Sequence, residues 1–332
     1  RDLLMEQLTP LELGSSTGAM MNNVGKVKNT GVEISLSTVN VQTKDFYWST
    51  TFSFAKNKNE ILELNGGKED LVANKWFIGQ PIDVIYDYEY ARVCTAEEAR
   101  AYATNDAIKT KFIEGEMKLK DQQQPGEEGY GVIDENDLVV LGHALPKWTG
   151  SVTSNMTYKN FDFSFSIYTK QGGMVESPFM AEFTNYKDRG RNKLKMDYYI
   201  PAGTPVLNAD GSGYTLTTEA HMGAYPYPTN TANNNYGGGI GWGTDKQTTY
   251  VGNSYVDNSF VKIKNITLGY TFPKSWMSKI GVDHLRLYVN VLNPFTFTSY
   301  KGFDPEWADA ALNDGTGGPS SRTYQVGVNL KF

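Results

Sequence analysis

The sequence predicts an all-β fold: an antiparallel transmembrane β-barrel built from amphipathic strands and carrying long outer loops. Three observations lead there. First, Arg322–Phe332 alternates cleanly, with Tyr324, Val326, Val328, Leu330 and Phe332 on one face and Gln325, Gly327, Asn329 and Lys331 on the other, because side chains in a strand change face at each residue. A tilted strand of about 9–11 residues spans a bilayer. Second, the same alternation recurs along the chain. Third, the connections alternate between short and long, as barrels with short inner turns and long outer loops require.

Composition fits this class without selecting it. No run approaches the roughly 18 apolar residues of a membrane helix, whereas a barrel strand needs an apolar residue only at every second position. The 21 Tyr, 16 Phe and 6 Trp suit interfacial girdles, and they suit a soluble carbohydrate-binding β-sandwich nearly as well. That sandwich is the rival reading. With 31 basic and 37 acidic residues, net charge −6, the chain lacks the footprint of a nucleic-acid binder. Cys94 is the single cysteine, so it can form no internal disulfide and no zinc site by itself. The chain opens at Arg1 with no signal peptide before it, which for an exported protein implies processing or a partial chain.

Taken in order, Val32 to Val41 reads as a half-apolar strand with one blemish near Val39. Phe46, Trp48, Thr50, Phe52 and Phe54 share a face of the next strand, and Lys56 to Lys75 reads as a loop. Trp76 to Arg92 is extended, with Asp83, Asp87 and Glu89 on a polar lumen wall. Thr95-Ala96-Glu97-Glu98 resembles a capping box, which predicts a helix near Ala96 to Phe112, here assigned to the inner side. Met117 to Lys120 and Leu138 to Leu141 are brief strand candidates. Trp148 to Tyr158 and Phe161 to Thr169 form a hairpin across Lys159-Asn160. Gly172 to Asp257, rich in Gly, Asn, Thr and Tyr, reads as a long outer loop. In Phe260 to Phe272 the apolar phase slips by one between Ile263 and Ile266, as a β-bulge would cause. His284 to Val291 and the final strand bring the count to about ten.

The chemistry of catalysis is not encoded in any recognisable pattern. The three histidines, His143, His221 and His284, have no metal-ligand spacing, and there is no G-x-S-x-G elbow. Asp83 and Asp87 on one strand face would lie about 13 Å apart, too far for paired acid–base work. The expectation is a protein that is not an enzyme. Ligand-binding candidates are the loop aromatics Tyr225, Tyr227, Tyr236 and Trp242, with Asp245 beside them, because flat rings stack on sugar faces or peptide side chains and carboxylates accept hydroxyl hydrogens. Rings packed loop on loop are the alternative. Asp304 and Trp307 read as braces of the last outer loop.

Four stretches resemble the C-terminal part of the SusC/RagA-like TonB-dependent outer-membrane transporters: Asn23-Val-Gly25-Lys-Val-Lys-Asn29-Thr-Gly31-Val-Glu33, Leu145-Pro146-Lys147-Trp148-Thr149-Gly150, Ser259 to Pro273, and Tyr288 to Glu306 with its Asn293-Pro and Gly302-Phe-Asp304-Pro305-Glu306. The resemblance implies that residues 1–332 are the C-terminal strands of a 22-strand plugged barrel in the outer membrane of a Gram-negative cell. Its N-terminal plug and earlier strands would lie outside this chain. It also implies the partners: that remaining part of the barrel, a SusD-like surface lipoprotein, TonB reached through the missing part, outer-membrane lipid, and an oligosaccharide or peptide ligand, glycans favoured. Tyr324 and Phe332 would then form the assembly signal of the closing strand. The family often carries a D-x-N-G-D-G-x-I-D-x-x-D segment whose oxygens suit a hard cation. Asp121, Asp134 and Asp137 occupy its ends, but Gln122 to Tyr130 is a longer insert. A divalent cation and a solvated loop both remain open, and no other cofactor is expected.

Overall fold

In the computed structural model, which describes residues 2–8, 19–64, 67–106, 108–110, 112, 114–115, 117–177, 196–225, 255–308 and 320–332, eight strands join in one antiparallel sheet. In chain order the strands are β1 (Asp2–Leu8), β2 (Ala19–Gln42), β3 (Phe46–Glu63), β4 (Val84–Tyr88), β5 (Tyr90–Val93), β6 (Met117–Leu119), β7 (Leu138–His143), β8 (Trp148–Tyr158), β9 (Phe161–Gln171), β10 (Met174–Glu176), β11 (Pro205–Leu207), β12 (Tyr214–Leu216), β13 (Tyr255–Asp257), β14 (Phe260–Thr271), β15 (His284–Thr298) and β16 (Thr323–Lys331). The sheet runs β1-β2-β3-β8-β9-β14-β15-β16, so each wall strand lies beside its predecessor along the wall.

Register explains the alternation. Leu36, Phe52, Val152, Ile167, Ile263 and Phe295 stand opposite one another from β2 to β15. Trp48, Met156, Phe163, Leu268, Val289 and Val326 do the same from β3 to β16. These rows form one continuous apolar face, and it is left bare: Val326 is 80% exposed. A two-sheet sandwich would bury such a face against a second sheet, so the rival architecture is not the one adopted. The few polar groups on the apolar face satisfy one another, Trp48 Nε1 donating to Ser154 Oγ at 2.8 Å and Asn40 Nδ2 to Thr50 Oγ1 at 2.7 Å.

The opposite face is polar and cross-linked. Arg286 donates to both carboxylate oxygens of Asp162, at 2.9 and 2.5 Å. Thr267 donates to Asn290 and Asn290 to Gln325, each at 2.9 Å. Gly269 and Gly327 are required here: a Cβ on Gly269 would strike the Asp162–Arg286 pair, and one on Gly327 would strike the Tyr288 ring.

The expected bulge is present, since β14 shifts register between Ile263 and Asn265 against both neighbours. The blemish near Val39 is another shift, between Val39 and Val41. The two-residue turn at Lys159-Asn160 is also as expected, with Lys159 in the left-handed region at φ 51°.

Several expectations are corrected. β2 and β3 run for 24 and 18 residues, far beyond a bilayer span, so 56–63 is strand rather than loop. Cross-strand groups such as Lys26–Glu63 (2.5 Å) and Asn59–Asn29 (2.7 Å) hold it, together with a small apolar cluster in which Val27, Ile61 and Leu64 are buried against Leu71, Trp76, Ile78 and Ile82. β1 lacked the alternation that would have marked it. The strand candidates at 84–93 and 117–143 are not in the wall: β4 pairs with β7 and β5 with β6. Asp83, Asp87 and Glu89 therefore belong to the loop region rather than a lumen wall. The helix forms over Ala96–Thr104, its capping box complete, with Glu98 N donating to Thr95 Oγ1 and Thr95 N to Glu98 Oε2, both at 3.2 Å. It lies on the other end from the one expected. Antiparallel order puts the short connections 43–45, 159–160 and 272–283 at one end of the wall, and 64–147, 172–259 and 299–322 at the other. The helix falls in the second set.

Candidate functional site

The described parts of the long connections pack on one another at the second end, as a cap. Its anchor is the bulge of β14, which lets Lys262 and Lys264 reach one carboxylate. Lys262 Nζ donates to Asp304 Oδ2 at 2.8 Å and to Glu306 Oε2 at 2.5 Å, and Lys264 Nζ donates to Glu306 Oε1 at 2.5 Å. Lys262 is 1% exposed and Asp304 6%. Burial alone pushes Asp304 and Glu306 upward, yet hydrogen bonds from Lys262, joined by Lys264 at Glu306 and by backbone N–H at Asp304, hold both below the usual carboxylate range. Asp304 also accepts from Glu306 N and Ser320 N, each at 3.1 Å. Asp304 is thus the brace read from its motif. Trp307 contributes its backbone N–H to Asp304 O, and its side chain is exposed.

Further ties join the cap's segments. Tyr255 donates to Asp87 Oδ2 at 2.5 Å, Tyr90 to Ala224 O at 3.1 Å, and Tyr199 to Glu114 Oε1 at 2.6 Å. Buried Val175, Tyr300 and Ala308 form a small apolar core to which Met196, Val256 and Tyr225 add. Burial pushes the Tyr225 phenol up, and its ring stands 6.1 Å from that of Tyr198. Of the proposed ligand residues, Tyr225 is therefore a ring packed loop on loop. Tyr227, Tyr236, Trp242 and Asp245 lie outside the described residues.

The acidic insert has its own geometry. Asp137, fully buried, accepts from Gln122 N at 2.7 Å and Asp134 N at 2.8 Å. Asp121 accepts from Gln123 N at 3.0 Å and Gly131 N at 2.6 Å, and Asp134 from Asn136 N at 2.8 Å. These carboxylates organise the base of the insert by taking backbone N–H groups, while residues 124–130 are exposed, as the solvated-loop reading expects. Among the described residues no group of three or more His, Cys, Asp or Glu has metal-binding geometry.

The insert borders an open cavity of about 220 Å³ whose lining includes Tyr102, Phe112, Tyr130, Lys118, Lys120 and Asp121. The Tyr102 and Phe112 rings stand 5.9 Å apart. Lys118 Nζ is 5.8 Å from the Tyr102 ring centre and 2.7 Å from Glu98 Oε1. Lys120 pairs with Glu89 at 2.8 Å. Burial would raise Glu98, but the hydrogen bond from Lys118 and the cap of Thr95 hold it low. Aromatic walls with a charged rim suit an oligomer that presents flat apolar faces and hydroxyl or amide edges. Sequence reading missed this site because its residues come from separate short stretches of 91–133 with no shared period. The clue available was the capping box, which fixes Tyr102 on a helix beside the insert.

At the wall's closing strand, Tyr324 and Phe332 are exposed on the apolar side, and among the described residues β16 pairs only with β15.

An eight-stranded sheet with a bare apolar face, a cross-linked polar face and a cap at its long-loop end defines a section of an outer-membrane β-barrel wall. No protein-family model matches the chain. Over 100% of its length it is similar to TonB-dependent receptor P3 of Formosa agariphila, 29% identical across 31% of that receptor, and to TonB-dependent receptor SusC of Bacteroides thetaiotaomicron, 27% identical across 29% of it. Among solved structures, the RagAB peptide transporter superposes with a TM-score of 0.63 at 21% identity, covering 100% of this chain and 32% of that one. At that identity the likeness shows the fold. The chain spans about a third of the length of the receptors it matches. The similarity to SusC/RagA-like TonB-dependent proteins read from four motifs therefore holds along the whole chain. These relatives are receptors and transporters of the outer membrane, not enzymes.

Proposed function

We propose that this chain is the C-terminal part of the barrel of a TonB-dependent importer for oligomeric nutrients. The remaining, N-terminal part supplies the plug, the earlier strands and the contact with TonB, and a SusD-like surface lipoprotein covers the outer end. The observation that carries this reading is the conjunction of whole-length similarity to TonB-dependent receptors with a wall whose apolar face no second sheet buries among the described residues. An open sheet edge is not tolerated in lipid, which is why the rest of the barrel is needed.

No bond is made or broken by these residues. They hold a ligand, and the cap does so with the ring-walled cavity beside Tyr130 together with the loop that carries Tyr227, Tyr236, Trp242 and Asp245. Stacking faces with a polar rim favour glycans, while the RagAB likeness keeps peptides as the second class. Uptake of fluorescent oligosaccharides and oligopeptides by cells carrying the full-length protein tests the reading. TonB-dependent uptake of one class, lost on deletion of the SusD-like lipoprotein, is the expected result. Uptake that persists without TonB contradicts it.

A further inference from the structure

At the short-connection end of the wall every turn carries an exposed lysine: Lys44 between β2 and β3, Lys159 between β8 and β9, and Lys274 and Lys279 between β14 and β15, with exposed Lys331 closing β16. Register brings them to one rim, since Phe46 stands opposite Tyr158, Tyr158 opposite Phe161, Phe161 opposite Tyr270, and His284 opposite Lys331. The carboxylates of that rim are largely taken. Asp162 belongs to Arg286. Asp283 is shared by Lys274 at 3.0 Å and Lys331 at 3.6 Å. Among the described side chains of the rim, Asp45 remains for Lys44, Lys159 and Lys279.

The lysines also sit at the depth and on the side where lipid begins. Lys159 Nζ lies 5.4 Å from the ring centre of Tyr158, and Tyr158, 53% exposed, belongs to the apolar face through its pairing with Phe46 and Phe161. In the turn 272–283, Met277 and Val282 are buried while Trp276 and Ile280 are 56% and 67% exposed. Exposed rings with ammonium groups beside them are the pattern of a membrane interface, where aromatics sit at headgroup level and lysines extend toward the phosphates. The short turns of outer-membrane barrels face the periplasm.

We propose that this rim binds the headgroups of anionic phospholipids in the periplasmic leaflet of the outer membrane. The proposal rests on the wall reading above and adds a ligand class to it. The apolar belt ends at the rim, so the headgroups met there are those of the lipids covering the belt, and the excess positive charge selects anionic ones.

The test uses the full-length barrel in micelles containing equal phosphatidylglycerol and phosphatidylethanolamine, with retained lipids counted by native mass spectrometry. The native protein is expected to retain phosphatidylglycerol roughly fivefold over phosphatidylethanolamine. The combined Lys44→Gln, Lys159→Gln, Lys279→Gln variant should fall to near parity, and arginine at the same positions should restore the preference. Lys28→Gln with Lys56→Gln, in the halves of β2 and β3 away from this rim, should leave it unchanged. Heat-modifiable migration on gels confirms that each variant is folded, and Lys159→Gln alone serves if the triple variant is not. Parity in the native protein, or an undiminished preference in the glutamine variant, overturns the proposal. Retention of neither lipid overturns the wall reading itself and this one with it.

Discussion

The wall and the cap are built from the same chain under opposite solvent rules. In the wall, Val289, Val326 and Val328 point their side chains out and are exposed, while Asp162, Arg286 and Asn290 are cross-linked on the polar side. In the cap apolar side chains turn inward instead: Val175, Tyr300 and Ala308 are buried together. The boundary between the two regimes is β14, where Phe260 and Lys262 are buried under the cap and Leu268, a few residues on, is bare. A strand thus changes solvent along its own length, and the bulge at Lys264 sits at the change.

The largest expected effect breaks the boundary. Asp304→Ala leaves the buried ammonium of Lys262 with Glu306 alone, and loss of a partner from a buried pair should cost about 3 kcal/mol. It should appear as a lowered unfolding temperature in detergent and as new proteolysis between Tyr300 and Ser320. Acid should act in the same direction. Asp304 and Glu306 are held below their ordinary values, so their stabilisation is complete above the unfolded value near 4 and is lost as pH falls through the lower folded values. Proteolysis of the last outer loop should therefore switch on only in strong acid; onset near neutrality would contradict the pairing.

Next, Val326→Arg and Gln325→Arg separate the faces of one strand. The first puts a guanidinium into lipid and should cost about 2–4 kcal/mol of barrel stability. The second faces the polar side, where it gives up only the exposed hydrogen bond from Asn290, and should cost no more than about 1 kcal/mol. Equal costs would show that β16 does not divide two solvents. In the cap, Tyr130→Ala should weaken ligand binding by about 1 kcal/mol, read by calorimetry, with the barrel's unfolding unmoved. Thr95→Ala removes a helix cap worth about 1 kcal/mol and should speed hydrogen exchange over Ala96–Thr104 alone.

What the sequence disclosed follows the same division. Lipid on one side and water on the other force a period of two, so β8, β9, β14, β15 and β16 could be read directly, down to the slip at Ile263 and the turn at Lys159. Where β2 and β3 leave the membrane that pressure ends. Lys56 to Glu63 then pairs with β2 through Lys26–Glu63 and Asn29–Asn59 contacts, in a stretch that looks like loop in a linear reading. In the cap, β4 pairs with β7 across some fifty intervening positions, and no local pattern announces a partner so far away. The same reason hid the cavity, whose rings at Tyr102, Phe112 and Tyr130 meet only through the Asp121–Asp137 turn. Tyr225 was found by residue type, but residue type cannot tell a ring that packs from a ring that binds.

The most direct test of the divided wall is a nitroxide scan of Thr323 to Lys331 in the full-length barrel in lipid, comparing accessibility to oxygen with accessibility to a water-soluble nickel chelate. The structure predicts a period of two, with Tyr324, Val326, Val328 and Leu330 favouring oxygen and Gln325, Gly327 and Asn329 favouring the chelate. Uniform exposure of all these positions to the chelate would contradict a membrane wall.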